Sequence, residues 1–98
     1  MHPLTPSQRQ FLKAQAHSLQ PVVMIGGNGL TPNVLKEVER ALAAHELVKI
    51  KAASDEADTR RAWLAEICEA TACQEVQRIG KVLVVYRAAV EPKIVLPK

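Results

Sequence analysis

Three stretches of the chain carry apolar residues at helical spacing, and shorter apolar or alternating runs lie between and after them. In the first stretch Phe11, Leu12, Ala16 and Leu19 follow a capping hydroxyl and an early proline at Thr5-Pro6, which predicts a helix over about residues 6–18. Pro21 forbids continuation, and Val22-Val23-Met24-Ile25 is a short apolar run of the kind found in a buried strand. Gly26-Gly27-Asn28-Gly29 breaks that run. Thr31 and Pro32 then read as N-cap and first helical residue, with Val34, Leu35, Val38, Ala41, Leu42 and His45 on one stripe of a second helix. His45 at the end of that stripe reads as a boundary histidine. Leu47 to Ala52 alternates, with Val48, Ile50 and Ala52 on one face and Lys49 and Lys51 on the other, the signature of a half-buried strand with a wet lysine face.

Ser54 to Asp58 supplies loop and capping residues, after which Trp63, Leu64, Ile67, Cys68 and Thr71 form the stripe of a third helix, with Trp63 assigned to the core. Two strands follow, Glu75 to Ile79 and Val82 to Arg87, joined by a tight turn at Gly80-Lys81. Glu91 to Lys98 reads as an extension that frays toward its end. The order α-β-α-β-α-β-β predicts a single α/β domain over residues 1–98, with a four-stranded mixed sheet. A β-α-β crossover makes a parallel pair and the terminal hairpin an antiparallel one.

Composition narrows the chemistry. One Phe, one Trp and one Tyr leave the core to aliphatic residues and leave little for stacking bases. Apolar runs fall short of a membrane span and the first residues lack the pattern of a signal peptide, so a cytoplasmic location is expected. Cys68 and Cys73 sit five apart with no histidine nearby, a spacing that fits neither a zinc site nor a CxxC pair, and they read as reduced structural thiols. No metal or cofactor is expected. The net charge of +3 is unevenly spread: residues 1–51 sum to +3, residues 52–75 to −4 and residues 76–98 to +4. An acidic third helix in an otherwise basic chain suits a polyanion-binding face set against a solvated acidic one.

The loop Gly26-Gly27-Asn28-Gly29 carries the sharpest chemical signal. Between a strand and a capped helix its glycines can take positive φ and bring the backbone close to a ligand. The helix start at Thr31 would add amides and a partial positive charge, so a phosphate suits the space. Asn28 could reach a base or ribose. On the first helix Arg9, Lys13 and His17 fall at i, i+4 and i+8 and form one basic ridge, whose mutual repulsion an anion would relieve. A plain turn and a solvated basic face are the bland readings of the same residues.

The blocks Leu12 to His17, Pro21 to Thr31, His45 to Lys51 and Ile79 to Arg87 together resemble the CRM domain, named for chloroplast RNA splicing and ribosome maturation, in its bacterial stand-alone, YhbY-like form. The resemblance spans nearly the whole chain. It implies a fold similar to the C-terminal domain of translation initiation factor three. It also implies RNA binding, with association to ribosomal RNA in large-subunit precursors, through Gly26, Gly27, Asn28, Gly29, Lys13 and His17; a monomer without catalytic activity is expected. Arg9 and Thr31 join these from the reading of the ridge and the helix start. Gly27, a second glycine inside the loop, should make the loop more mobile.

Three rivals stand beside this reading. A nucleotide enzyme would need the GxGxxG spacing or a GK[ST] ending, and the loop has neither. A protein-interaction module docking on ribosomal proteins through the acidic third helix is the alternative. DNA binding would call for a recognition-helix pair or a dimeric half-site reader, and neither is visible.

Overall fold

Two of the helices begin where a hydroxyl and a proline tell them to. In the computed structural model, which describes residues 2–98, α1 (Pro6–Ala16) is opened by a capping box in which Thr5 Oγ accepts from Gln8 N and the Gln8 side chain accepts from Thr5 N. α2 (Pro32–His45) is opened by Thr31, whose Oγ accepts from Val34 N. α3 (Ala57–Thr71) has no side-chain cap at Glu56; the preceding turn is held instead by Ser54 Oγ, which accepts from Glu56 N. Between and after these run β1 (Val23–Ile25), β2 (Leu47–Ala52), β3 (Gln74–Ile79) and β4 (Val82–Tyr86).

The order is the α-β-α-β-α-β-β read from the sequence, and the four strands form one mixed sheet in the spatial order β1-β2-β4-β3. β1 pairs with β2 in parallel, so the chain must cross over between them, and α2 is that crossover. The hairpin β3–β4 turns at Gly80-Lys81, with Gly80 at φ +55 in the first central position, where a type II′ turn needs it. A bulge between Glu75 and Gln77 bends β3, which is left as one edge of the sheet.

Elements pack on both faces of the sheet. α2 and α3 pack over Val23, Ile25, Val48, Ile50, Leu83 and Val85 on one side. α1 and the C-terminal tail pack over Leu47, Val76, Val84 and Tyr86 on the other. β2 has the expected alternation, with Val48, Ile50 and Ala52 buried and Lys51 exposed; on its other face Leu47 is also buried, beneath α1, and half-buried Lys49 donates from Nζ to the carbonyl of Leu19 at 3.0 Å. The expectation of a buried β1 is corrected: Val23 and Ile25 are buried, but the strand lies at an edge and Met24, with Val22 just before the strand, is 54% and 57% exposed respectively, because α1 crosses the sheet without covering them. His45, expected at a boundary, is exposed in the last turn of α2. α1 closes at Ala16 with His17 as its C-cap, slightly short of residue 18.

The tail does not fray as expected, and Glu46 is the cause. This residue stands between α2 and β2 at φ +65 and is only 3% exposed. Its carboxylate accepts from the backbone N–H groups of Ala89, Lys93 and Ile94 at 2.9, 2.8 and 3.1 Å. Its own carbonyl accepts from Arg87 N. Ile94 and Leu96 then pack against the α1-side core, and the Gln8 side chain donates to Pro97 O. Arg87 makes a second clamp, reaching Glu39 on α2 and the carbonyl of Thr71 at the end of α3.

Burial opposes ionisation of Glu46, but the three backbone donors outweigh it and hold its pKa below the ordinary 4.5. A carboxylate with a depressed folded pKa contributes stability that is complete above its unfolded value and is lost as pH falls through the folded one. Replacing Glu46 with Gln should therefore lower stability at neutral pH by about 1.5–3 kcal/mol, the range for hydrogen bonds to a charged group. The difference from wild type should shrink on acidification below pH 4.5. Urea unfolding of both proteins across that range measures this, and equal midpoints at neutral pH would remove Glu46 from its role.

Candidate nucleic-acid interface

The last paired residue of β1 is Ile25, opposite Ala52, and the glycine loop starts immediately after it. Gly29 N donates to Gly26 O at 3.0 Å, closing a turn over Gly27 and Asn28. Gly29 itself lies at φ +73, and Thr31 N bonds back to its carbonyl. Of the four loop residues only Gly29 is a glycine for conformational reasons. Gly26 and Gly27 have no positive φ, and a Cβ on either would meet nothing within 4 Å. The protein's own packing does not ask for glycine at those two positions. The amides of Gly27, Asn28 and Asn33 donate to no group among the described residues, and Asn28 is exposed. Thr31, predicted as a site residue, uses its hydroxyl on Val34 N, and Pro32 has no N–H to offer. The helix start is thus largely satisfied from within, and its open donor is Asn33.

Beneath the loop lies Trp63. A Cβ on Gly29 would sit 3.7 Å from its Cζ2 and 3.9 Å from its Nε1. The half-buried indole of α3 therefore packs against the core, as expected of it, and also forms the floor of the loop.

The basic ridge of α1 lies on the opposite face of the sheet. Arg9 Nε donates to Glu75 O at 3.3 Å over the β3 edge, Lys13 follows, and His17 stands near Lys49. Arg9 and Lys13 border a groove of about 860 Å³ along β3, which also takes in Arg61 and Arg78. Lys13, His17 and Lys49 border a smaller one of about 380 Å³. The glycine loop lines neither groove, so the residues predicted as one site form two groups.

What lies between the groups is a row of side chains crossing all four strands. The register sets Met24 opposite Lys51, Lys51 opposite Val82 and Val82 opposite Ile79. The row starts next to the loop, and its two ends are open: Met24 and Ile79 are 54% and 60% exposed, while Val82 is partly buried against the α1-side core. Directly paired residues share a face, so the row is an apolar strip with an ammonium group at its centre. Lys51 and Arg78 are residues that the sequence reading did not single out as a site. Lys81 is tied to Asp55 and Arg61 to Asp58, each at 2.7 Å. Lys13, Lys51 and Arg78 have no acidic partner within salt-bridge distance among the described residues.

The glycines separate into two kinds, and substitution should show it. Gly29→Val forces a branched side chain into a left-handed conformation and against the indole, and should cost about 1–3 kcal/mol. Gly26→Ala and Gly27→Ala should fold with wild-type stability or slightly above it. Thermal unfolding of the three variants distinguishes them; a Gly29→Val protein as stable as wild type would contradict the assigned backbone.

Comparison with known proteins shows the family. The chain is 49% identical over 98 residues to an "RNA-binding protein" of Haemophilus influenzae, covering 100% of this chain and 99% of that one. It is 47% identical over 89 residues to "Probable RNA-binding protein PA4753" of Pseudomonas aeruginosa, covering 91% and 86% of the two chains. The solution structure of the hypothetical protein SAV1595 from Staphylococcus aureus superposes with a TM-score of 0.84 at 32% identity, over 96% of this chain and 99% of that one. The pattern that defines the CRS1 / YhbY (CRM) domain matches residues 4–87, which run from the buried Leu4 through the glycine loop to the Arg87 clamp. With glycine loop, capped α2 and terminal hairpin all inside that match, this chain belongs to the CRS1 / YhbY (CRM) domain family.

Proposed function

We propose that this protein binds ribosomal RNA in precursors of the large ribosomal subunit and acts in their maturation as a non-catalytic, cytoplasmic, monomeric factor. The contact face is the glycine loop together with the row Met24–Lys51–Val82–Ile79, with Lys13 and His17 at its border. The observation that carries the reading is the loop itself: the amides of Gly27 and Asn28 are open, and at Gly26 and Gly27 no side chain covers the backbone although the protein has room for one. Such a surface suits close approach by a phosphate. The relatives named as RNA-binding proteins support it.

The division of labour follows from the residue types. Gly27, Asn28 and Asn33 donate from the backbone to phosphate oxygens, and Asn28 reaches a ribose or base edge. Lys51, Lys13 and Arg9 neutralise neighbouring phosphates. Met24, Val82 and Ile79 offer apolar contact without an aromatic platform, so folded RNA is recognised by shape and backbone more than by stacked single bases. Phosphate contacts position the RNA without reading its sequence.

Lys13→Glu and Lys51→Glu should each weaken binding to many RNAs by similar factors. Each lost phosphate contact should reduce the slope of log affinity against log salt by roughly 0.7 for single-stranded RNA. Glu66→Lys, on the exposed face of α3, is the control and should not weaken binding. An unchanged slope in both lysine variants would place the RNA elsewhere. Sedimentation of cell extract then tests the ribosomal partner. The wild-type protein should migrate with large-subunit precursors and the double lysine variant with free protein. Undiminished co-migration of a variant that no longer binds RNA would transfer the docking to a protein surface such as the acidic α3.

A further inference from the structure

Two thiols outside this face lie in contact. Cys68 stands in the last turns of α3, and Cys73 immediately precedes β3. Between them Ala72, the C-cap, takes the left-handed conformation at φ +57 and ψ +36 and folds the chain back. The two Sγ atoms are thereby 3.7 Å apart. Neither is engaged in a disulfide. Spacing in the sequence gives no hint of this pair, because the left-handed turn makes the contact.

The pair is reachable from outside. Cys68 is half-buried and Cys73 buried, yet both border the groove of about 860 Å³ along β3, and Cys73 also borders a cavity of about 370 Å³ beside Pro3 and Gln74. A small molecule can approach the sulfurs by these routes. The Cys68 thiol, by hydrogen-bonding to Cys73, brings Cys73 down to about 7 against the opposing effect of burial, with Thr71 and the charge of Arg87 assisting. The same contact, together with burial and the charge of Glu75, pushes Cys68 up.

We propose that Cys68 and Cys73 are a modification site, oxidised to a reversible intrachain disulfide by a hydroperoxide such as hydrogen peroxide. The Cys73 thiolate attacks one peroxide oxygen, the O–O bond breaks, and hydroxide leaves to take up the proton that Cys73 released. Cys73 becomes a sulfenic acid. The Cys68 sulfur then attacks the Cys73 sulfur; the S–S bond forms, the S–O bond breaks, and the departing hydroxide leaves as water with the Cys68 proton. Two thiols lose two electrons and two protons in total, and one hydrogen peroxide becomes two waters. Side-chain rotation must close the sulfurs from 3.7 Å to a bonded separation of about 2.05 Å. The product ties the end of α3 to the start of β3. Thiol reagents reverse it by exchange.

The test is mass spectrometry of the folded full-length protein treated with hydrogen peroxide. The mass should fall by two hydrogen atoms, both thiols should become inert to iodoacetamide, and dithiothreitol should restore them in a chain that remains monomeric. Cys68→Ser should stop at a dimedone-trappable sulfenic acid on Cys73, while Cys73→Ser should leave Cys68 unoxidised under the same treatment. Two alkylatable thiols after treatment, added oxygen without a disulfide, or a disulfide-linked dimer would each overturn the proposal. So would bridging at equal speed in the urea-unfolded chain, because the folded contact would then contribute nothing.

Discussion

Parallel pairing of β1 with β2 is the constraint from which the rest of the architecture follows. Two parallel neighbours cannot be joined by a tight turn, so the chain has to leave the end of β1, travel back and re-enter at the start of β2. α2 makes that return, and its N-terminus is therefore held at the end of β1 where Ile25 meets Ala52. The glycine loop occupies the short passage between strand end and helix start, and both of its flanks are fixed. Trp63 closes the passage from below. A loop built this way presents its backbone outward from a rigid base, which is the arrangement that anion-binding strand-to-helix loops use.

The second consequence concerns the face that α1 covers. α1 is pinned at its beginning beside Gln74 and Pro97 and at its end by Lys49, whose ammonium holds the carbonyl of Leu19. It therefore lies over Leu47, Val76, Val84 and Tyr86, with Val82 partly covered at its edge, and leaves Met24, Lys51 and Ile79 exposed. The tail cannot cover them either, since Glu46 draws it to the other end of β2. An exposed apolar strip interrupted by a lysine and contiguous with open backbone amides is the property that distinguishes this end of the molecule from the acidic outer side of α3.

Much of this was legible in the residues because much of it is local. Thr5-Pro6 and Thr31-Pro32 announce helix starts by chemistry confined to one turn, and Gly80-Lys81 announces a hairpin in the same way. The glycine loop was legible as a break between two periodic segments. What escaped the sequence reading depends on partners distant along the chain. The four-residue apolar run at Val22 to Ile25 looks like a buried strand, yet β1 sits at an edge, and no local signal says which strand has only one neighbour. Leu47 and Lys49 belong by alternation to one face, and only the placement of α1 decides that one is buried and the other half-covered. Glu46 reads as an ordinary polar residue after a helix until the tail returns over forty positions later to offer its amides. Lys51 and Arg78 became candidates only through the strand register and the groove along β3.

The central claim is that one contiguous face, formed by the glycine loop and the uncovered end of the sheet, receives RNA. Backbone amide chemical shifts of the whole chain, followed by nuclear magnetic resonance during titration with a folded ribosomal RNA fragment, address it most directly. The account predicts that the largest changes fall on Gly26 to Thr31, on Asn33 and Val34, on Met24, Lys51, Val82 and Ile79, and on Lys13 and His17, while the exposed side of α3 around Glu66 and Glu69 stays unchanged. Changes centred on α3, with the loop amides unmoved, would contradict it.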